Sequence, residues 1–237
     1  MPFNVGGYIW NGAMASVHDY RSIITRGLVM NLDASAPGSY PGSGTTWSDL
    51  SGQGNNGTIT GATFDTGSGG SINFDGSGDY ITVDGHSTIN FGIGNFTYEV
   101  WFKTTATSER GLICKYGSGD IWFAVHNDGF RCGIRDAGND ELNYYPGPDC
   151  NDGNWHHGVM VREGANLITY GDNGAGVVGT NANVGDTDSG GDTYIGVLTP
   201  GYWQFDGEIA IARIYNRNLT ANEVAQNFNV QRDRFGV

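Results

Sequence analysis

Basic residues are scarce in this sequence: twelve Lys and Arg stand against 25 Asp and Glu, a formal net charge of −13 over 237 residues. That balance argues against nucleic acid as a partner, because neutralising phosphates takes a clustered cationic footprint, which twelve scattered side chains do not supply. Cysteine is scarcer still. Cys114, Cys132 and Cys150 cannot all pair within one chain, which excludes a disulfide scaffold; either three buried thiols or one bridge, with Cys132 and Cys150 as the pair in question, stays open. No apolar run is long enough to span a bilayer, so membrane insertion is not expected. Nothing near Met1 has the basic n-region and apolar h-region of a signal peptide. Charged residues make up only 16% of the chain, which suits a helical bundle poorly.

What is abundant points to strands. Forty Gly, twelve Tyr, eleven Phe and six Trp fit many short strands joined by tight turns, and 237 residues fit one large sandwich around a single core. Only six of the acidic residues are Glu, so most of the negative charge lies in turn-forming Asp rather than on helix faces. The clearest strand is 96–103, where Phe96, Tyr98, Val100 and Phe102 fall on one face and Thr97, Glu99 and Lys103 on the other. Leu28, Met30 and Leu32 alternate in the same way. Further strands are expected over 71–74, 80–83, 111–115, 121–126, 129–135, 157–161, 166–170, 193–197 and 208–215, a number that suits two stacked sheets. One short helix closes the chain: Thr220 and Glu223 form a capping box, with Leu219 and Val224 at the positions of a hydrophobic staple.

Residues 1–26 differ from the body at 27–237. They mix Tyr8, Trp10, Tyr20, Ile23 and Ile24 without strand-like alternation and read as an arm. That many large apolar groups are costly to leave in water, so the arm is expected to dock on the sandwich or on another subunit.

Seven segments in order carry a resemblance: Gly27 to Asp33, Asp49 to Gly57, Ile72 to Gly76, Asp79-Tyr80-Ile81, Phe96 to Phe102, Trp155-His156-His157, and Phe205 through Thr220. Together they resemble a laminin-G-like domain of the concanavalin A-like lectin/glucanase superfamily. The resemblance implies an all-β jelly roll of two antiparallel sheets, here with an N-terminal arm and a short C-terminal helix. It departs at Gly158, where the family usually has an apolar residue, and at Ala210, where an acidic one is common. The opening Gly27 to Ser35 with its Tyr40 to Trp47 loop is also similar to lectin-like domains in virion proteins of tailed phages, especially those of marine cyanobacteria. It implies a virion-surface location after synthesis in the host cytoplasm.

Candidate sites follow from residue chemistry. A glucanase of this superfamily would carry two glutamates flanking an aspartate on one strand, with carboxyls about 5 Å apart. Glu99, Glu109, Glu141, Glu163, Glu208 and Glu223 are scattered instead, so no catalytic residue is assigned. His156 and His157 point to opposite faces of a strand and cannot share one ligand, with Trp155 and His157 expected to face inward. For a structural Ca²⁺, which takes six to eight hard oxygens, the resemblance implies Asp49, Asn55, Asn56 and Asp206; the same residue types also serve as plain turn formers. For a sugar, which needs a ring to stack on and polar side chains for its hydroxyls, two groups qualify: Tyr144 and Tyr145 near Asp140, and Tyr202 and Trp203 beside Gln204.

The leading expectation is a non-enzymatic phage virion protein, on capsid or tail, displaying a lectin-like domain. Its expected partners are other virion proteins through the arm, further copies of itself, and host cell-surface polysaccharide. A free calcium-dependent lectin or adhesin is the alternative, and a degenerate glycan hydrolase the third.

Overall fold

The computed structural model describes residues 22–127, 129–188 and 190–237, so Tyr8, Trp10 and Tyr20 lie outside the described residues. In chain order the strands are β1 (Leu28–Asp33), β2 (Thr46–Trp47), β3 (Gly57–Thr60), β4 (Thr63–Asp65), β5 (Ser71–Asp75), β6 (Tyr80–Val83), β7 (Phe96–Lys103) and β8 (Arg110–Lys115). They continue with β9 (Asp120–His126), β10 (Gly129–Arg135), β11 (Glu141–Tyr144), β12 (Trp155–Glu163), β13 (Asn166–Gly171), β14 (Val177–Thr180), β15 (Thr193–Ile195) and β16 (Asp206–Tyr215). One α-helix, α1 (Ala221–Phe235), ends the chain. Among the described residues no helix is long and apolar enough to cross a membrane.

The strands form two antiparallel sheets, as the resemblance implied. The first runs β14-β13-β12-β7-β16-β5-β4, with β1 beside β5 on the same edge of β16; the second runs β11-β10-β9-β8-β15-β6-β3-β2. β7 sits centrally between β12 and β16, and its period-two pattern does what the sequence suggested on one side: Phe96, Tyr98, Val100 and Phe102 meet Ile113, Phe123 and Phe130 of the second sheet in the main core. Gly158, the departure from the family pattern, is explained there. A methyl group at that position would stand 2.9 Å from both the Phe123 and Phe130 rings, so the rings take the space that a side chain would need.

The opposite face of β7 differs from expectation. Its polar residues suggest solvent, yet Thr97 and Glu99 are fully buried, because α1 lies across the outer side of the first sheet as a third layer. Trp101 stacks on Phe235 and Phe228 at 4.2 and 5.6 Å, and Ala210, the second departure from the family pattern, lies in the same apolar cluster. The helix starts as the sequence indicates. The Thr220 hydroxyl accepts from the Glu223 amide at 3.3 Å, the Glu223 carboxylate accepts from the Thr220 amide at 2.9 Å, and Arg217 grips the same carboxylate with two nitrogens at 2.7 and 2.8 Å. Leu219 and Val224 pack together with Tyr215.

The described end of the arm docks on this helix. The Ser22 carbonyl accepts from Gln226, the Ile24 amide donates to Asn227 Oδ1 at 2.8 Å, and Ile24 rests on the cluster around Val224, while Ile23 is half-buried. Cys114, Cys132 and Cys150 are buried free thiols; burial pushes Cys114 up to about 12.

Candidate functional site

Among the described residues, the outer face of the second sheet is the one that no helix covers. On β9, alternation sends Ile121, Phe123 and Val125 into the core and leaves Asp120, Trp122 and His126 on the outer face; on β10, Phe130, Cys132 and Ile134 go in and Arg131, Gly133 and Arg135 go out. Register then places Gly133 opposite both Trp122 and Asn143. The Trp122 ring lies flat over Gly133, where any Cβ would stand 2.2 Å from the indole, and its Nε1 reaches Asn143 Oδ1 at 3.4 Å. One glycine thus lets a tryptophan lie down on the sheet.

Arg131 links the face together. Its Nε donates to Asn143 Oδ1 and its Nη1 to Glu109 Oε1, both at 3.3 Å. The guanidinium carbon lies over the Trp203 ring at 4.5 Å and over the Tyr145 ring at 5.5 Å, contacts at which a planar cation is attracted to an aromatic face. Tyr145 also packs on His126, with centroids 4.9 Å apart. Trp203 is held at φ 53, a backbone region that is costly for a bulky residue, with its carbonyl accepting from the Gly111 amide at 2.7 Å. Beyond Trp122, Arg135 pairs with the buried Asp120. Two cavities flank this group. One, about 210 Å³, is lined by Tyr116, Trp122, Arg131, Arg135, Glu141 and Trp203 among others; the other, about 400 Å³, is lined by His126, Phe130, Tyr145, Pro146 and Asp149 among others.

The two aromatic groups singled out in the sequence therefore meet, but through one member of each. Tyr145, 55% exposed, and Trp203 converge on Arg131, and Tyr202, 66% exposed, stands at the rim. Tyr144 points the other way, into the sandwich, where its hydroxyl bonds Thr169 Oγ1 at 2.5 Å and the Leu167 carbonyl at 3.1 Å. Gln204 is spent on the β5–β6 turn, its Oε1 accepting from the Gly78 amide. Asp140 closes the β10–β11 turn through its backbone. Trp122, Arg131 and Arg135 are additions. Alternation along 129–135 places Arg131 and Arg135 outward, but which strand lies beside them depends on register.

The oxygens proposed for Ca²⁺ are differently disposed. Asp49 Oδ1 accepts from the Asn31 and Ser51 amides at 2.8 Å each, and Oδ2 from the Ser51 hydroxyl at 2.7 Å and the Asn55 amide at 3.0 Å. Asn55 donates to the Val29 carbonyl and Thr88, and Asn56 Oδ1 accepts from the Asp49 amide. Asp206 pairs with Asp75 at the far end of β16, roughly 20 Å along that strand from Arg213, whose backbone faces Asn31. As four ligands of one ion these residues do not fit. No group of three or more His, Cys, Asp or Glu arranged to hold a metal occurs among the described residues.

The Trp-His-His segment divides as its alternation requires. Trp155 and His157 do face an interior, but it is the layer beneath α1: Trp155 lies 4.8 Å from Phe235, and His157 Nε2 donates to Glu99 Oε1 at 3.1 Å. Burial alone would raise the Glu99 carboxyl, but Arg213 at 2.9 Å, His157 and Asn227 outweigh it and hold it down at about 2. His156 points to the other side and is clamped by Asp172 at 2.6 Å and Asp152 at 3.0 Å. Burial works against its charged form, yet the two carboxylates raise its pKa, and Asp152, held by the Asn154 amide and side chain and by His156, is lowered to about 2.

Two stacked antiparallel sheets with an aromatic and arginine-lined outer face define a lectin-like β-sandwich. Residues 75–225 match the family model described as the concanavalin A-like lectin/glucanases superfamily, and the chain belongs to that family. No match is found among curated proteins. Among solved structures it is similar to the binding domain of Paraclostridial Mosquitocidal Protein 1, with TM-score 0.71 and 14% identity over 85% of this chain and 52% of that one. It is also similar to the botulinum neurotoxin serotype G binding domain, with TM-score 0.70 and 14% identity over 86% of this chain and 51% of that one. A third is the botulinum neurotoxin serotype D ligand binding domain in complex with N-acetylneuraminic acid, at 0.69 and 12% over 88% and 52%. The chain spans about half the length of these structures, and at such identities the likeness is one of fold.

Proposed function

We propose that this chain is a non-enzymatic carbohydrate-binding domain whose ligand lies on the outer face of the second sheet, displayed as part of a virion. The observation that carries the binding reading is Arg131 lying over both Tyr145 and Trp203 between two open cavities. Rigid aromatic faces stack on sugar rings, and the Asn143, Glu109 and Arg135 groups around them offer donors and acceptors to hydroxyls. Related folds solved as binding domains, one of them with N-acetylneuraminic acid, support the same class of ligand. The carboxylates of the face favour binding over hydrolysis. Glu109 is engaged by Arg131, and Asp120 by Arg135, whereas glycoside hydrolysis needs one carboxyl free to donate a proton and another to attack or activate water.

The virion part of the reading rests on the similarity of Gly27 to Trp47 to phage lectin-like domains. It is supported by polarity: residues 22–26 dock on α1, on the side opposite the open sheet face. A chain held through its N-terminal segment by other virion proteins would turn the aromatic face outward towards host polysaccharide. Several copies would add weak contacts through effective concentration. A glycan array probed with the protein and with Trp203→Ala tests the binding reading, which expects signals that the substitution removes; an array blank for the parent protein overturns it. Mass spectrometry of purified phage particles tests the virion reading, which fails if the chain is absent from them.

A further inference from the structure

Each cavity of the open face has its own aromatic wall, and the two walls are joined by one side chain. Tyr145 lines the larger cavity and lies under Arg131; Arg131 and Trp203 line the smaller one, over the flat Trp122. We propose that Arg131 is a positioning residue that splints two adjoining sugar subsites, so that the ligand is an internal stretch of a glycan chain, several units long, rather than a single terminal sugar. This deepens the carbohydrate reading and rests on it.

Three features support the assignment. The first is planarity. A guanidinium can hold two rings at a fixed spacing because its faces stack while its edges hydrogen-bond, and here the edges are committed to Asn143 and Glu109. An ammonium in the same place would keep the charge contact with Glu109 and lose the stacking. The second is continuity. The Arg131 contact joins the walls of the two cavities, of about 210 and 400 Å³: the smaller lies over the outer face of β9 and β10, the larger at the β9–β10 hairpin end beside the 145–149 loop, and no described helix residue lines either. A site that reads a chain end would instead close around one unit. The third is cost. Trp203 is kept at φ 53, and its carbonyl bond to Gly111 and its ring contact with Arg131 both act to hold it there, which fixes the ring before any ligand arrives.

The test is affinity against chain length. The full chain is titrated by calorimetry with manno-, cello-, chito- and alginate oligosaccharides of one to six units. For whichever series binds, the tetrasaccharide is expected to bind about tenfold or more tightly than the disaccharide, the gain of engaging a second aromatic wall. Arg131→Lys is expected to bring that ratio towards one while the melting curve stays close to that of the parent protein. Tyr145→Ala, at a position 55% exposed, is expected to remove the same length gain with the melting curve close to that of the parent protein. A monosaccharide or disaccharide that binds as tightly as the hexasaccharide overturns the two-subsite proposal and leaves the carbohydrate reading standing. So does a length gain that survives both substitutions. Absence of binding by every oligosaccharide overturns the carbohydrate reading, and this proposal with it.

Discussion

The two outer faces of the sandwich use the same kinds of residue to opposite ends. On the first sheet, α1 seals charged side chains away from water: Glu99, Arg213 and His157 are all at most 1% exposed, and each meets a hydrogen-bonding partner. Arg213 also reaches Asn31, and Asn227 ties Glu99 to Tyr215 and to the Ile24 amide of the arm. On the second sheet, Arg131 and Arg135 also pair with carboxylates but remain in reach of solvent, beside exposed Tyr116, Tyr145 and Tyr202. A buried ion pair makes a face dependent on every partner, whereas an open one leaves donors and rings free for a ligand.

Substitutions should therefore divide by face, and the largest expected effect is beneath the helix. Arg213→Met leaves the Glu99 carboxylate buried without its cation and should cost about 3–5 kcal/mol in urea unfolding; a loss below about 1 kcal/mol would mean that water enters the cluster. Thr220→Ala removes the cap that starts α1 and should cost about 1 kcal/mol by the same measurement.

A pH dependence sharpens the contrast at the first sheet's rim. The folded pKa of His156 is raised above 6.5, so its contribution is fully present below 6.5 and is lost as pH rises through the raised value. Asp152 is lowered from 3.8 to about 2, so its contribution is present above 3.8 and is lost as pH falls towards 2. Stability from this clamp should be greatest between those limits, and His156→Gln should flatten the alkaline side of a melting-temperature profile; an unchanged profile would contradict the assignment. The smallest stability effect is expected on the open face, where Trp203→Ala should change unfolding by about 1 kcal/mol, since Trp203 is only half-buried and an alanine keeps the same backbone at φ 53. The same substitution should weaken any oligosaccharide by about tenfold or more.

The contrast between faces also explains what could be read in the sequence. Strands with clear alternation, β7 above all, and the Thr220 capping box depend on neighbours within a few residues, and both stand where the pattern put them. β2, β3, β4, β11 and β14 went unseen because none is longer than four residues, too short to show a repeating apolar face. Glu99 looked solvent-facing because the helix that covers it comes more than a hundred residues later in the chain. Tyr145 and Trp203 were legible as candidate stacking aromatics, but their meeting on Arg131 depends on the register of β9, β10 and β11 and on the loop that holds Trp203, information spread over about ninety residues.

The central claim, that the outer face of the second sheet binds carbohydrate, is tested most directly by a glycan array read with the parent protein and with a Tyr145→Ala, Trp203→Ala double variant of matching melting temperature. The account predicts polysaccharide signals for the parent that the double variant lacks; equal binding by both proteins would contradict it and move the ligand to another part of the molecule.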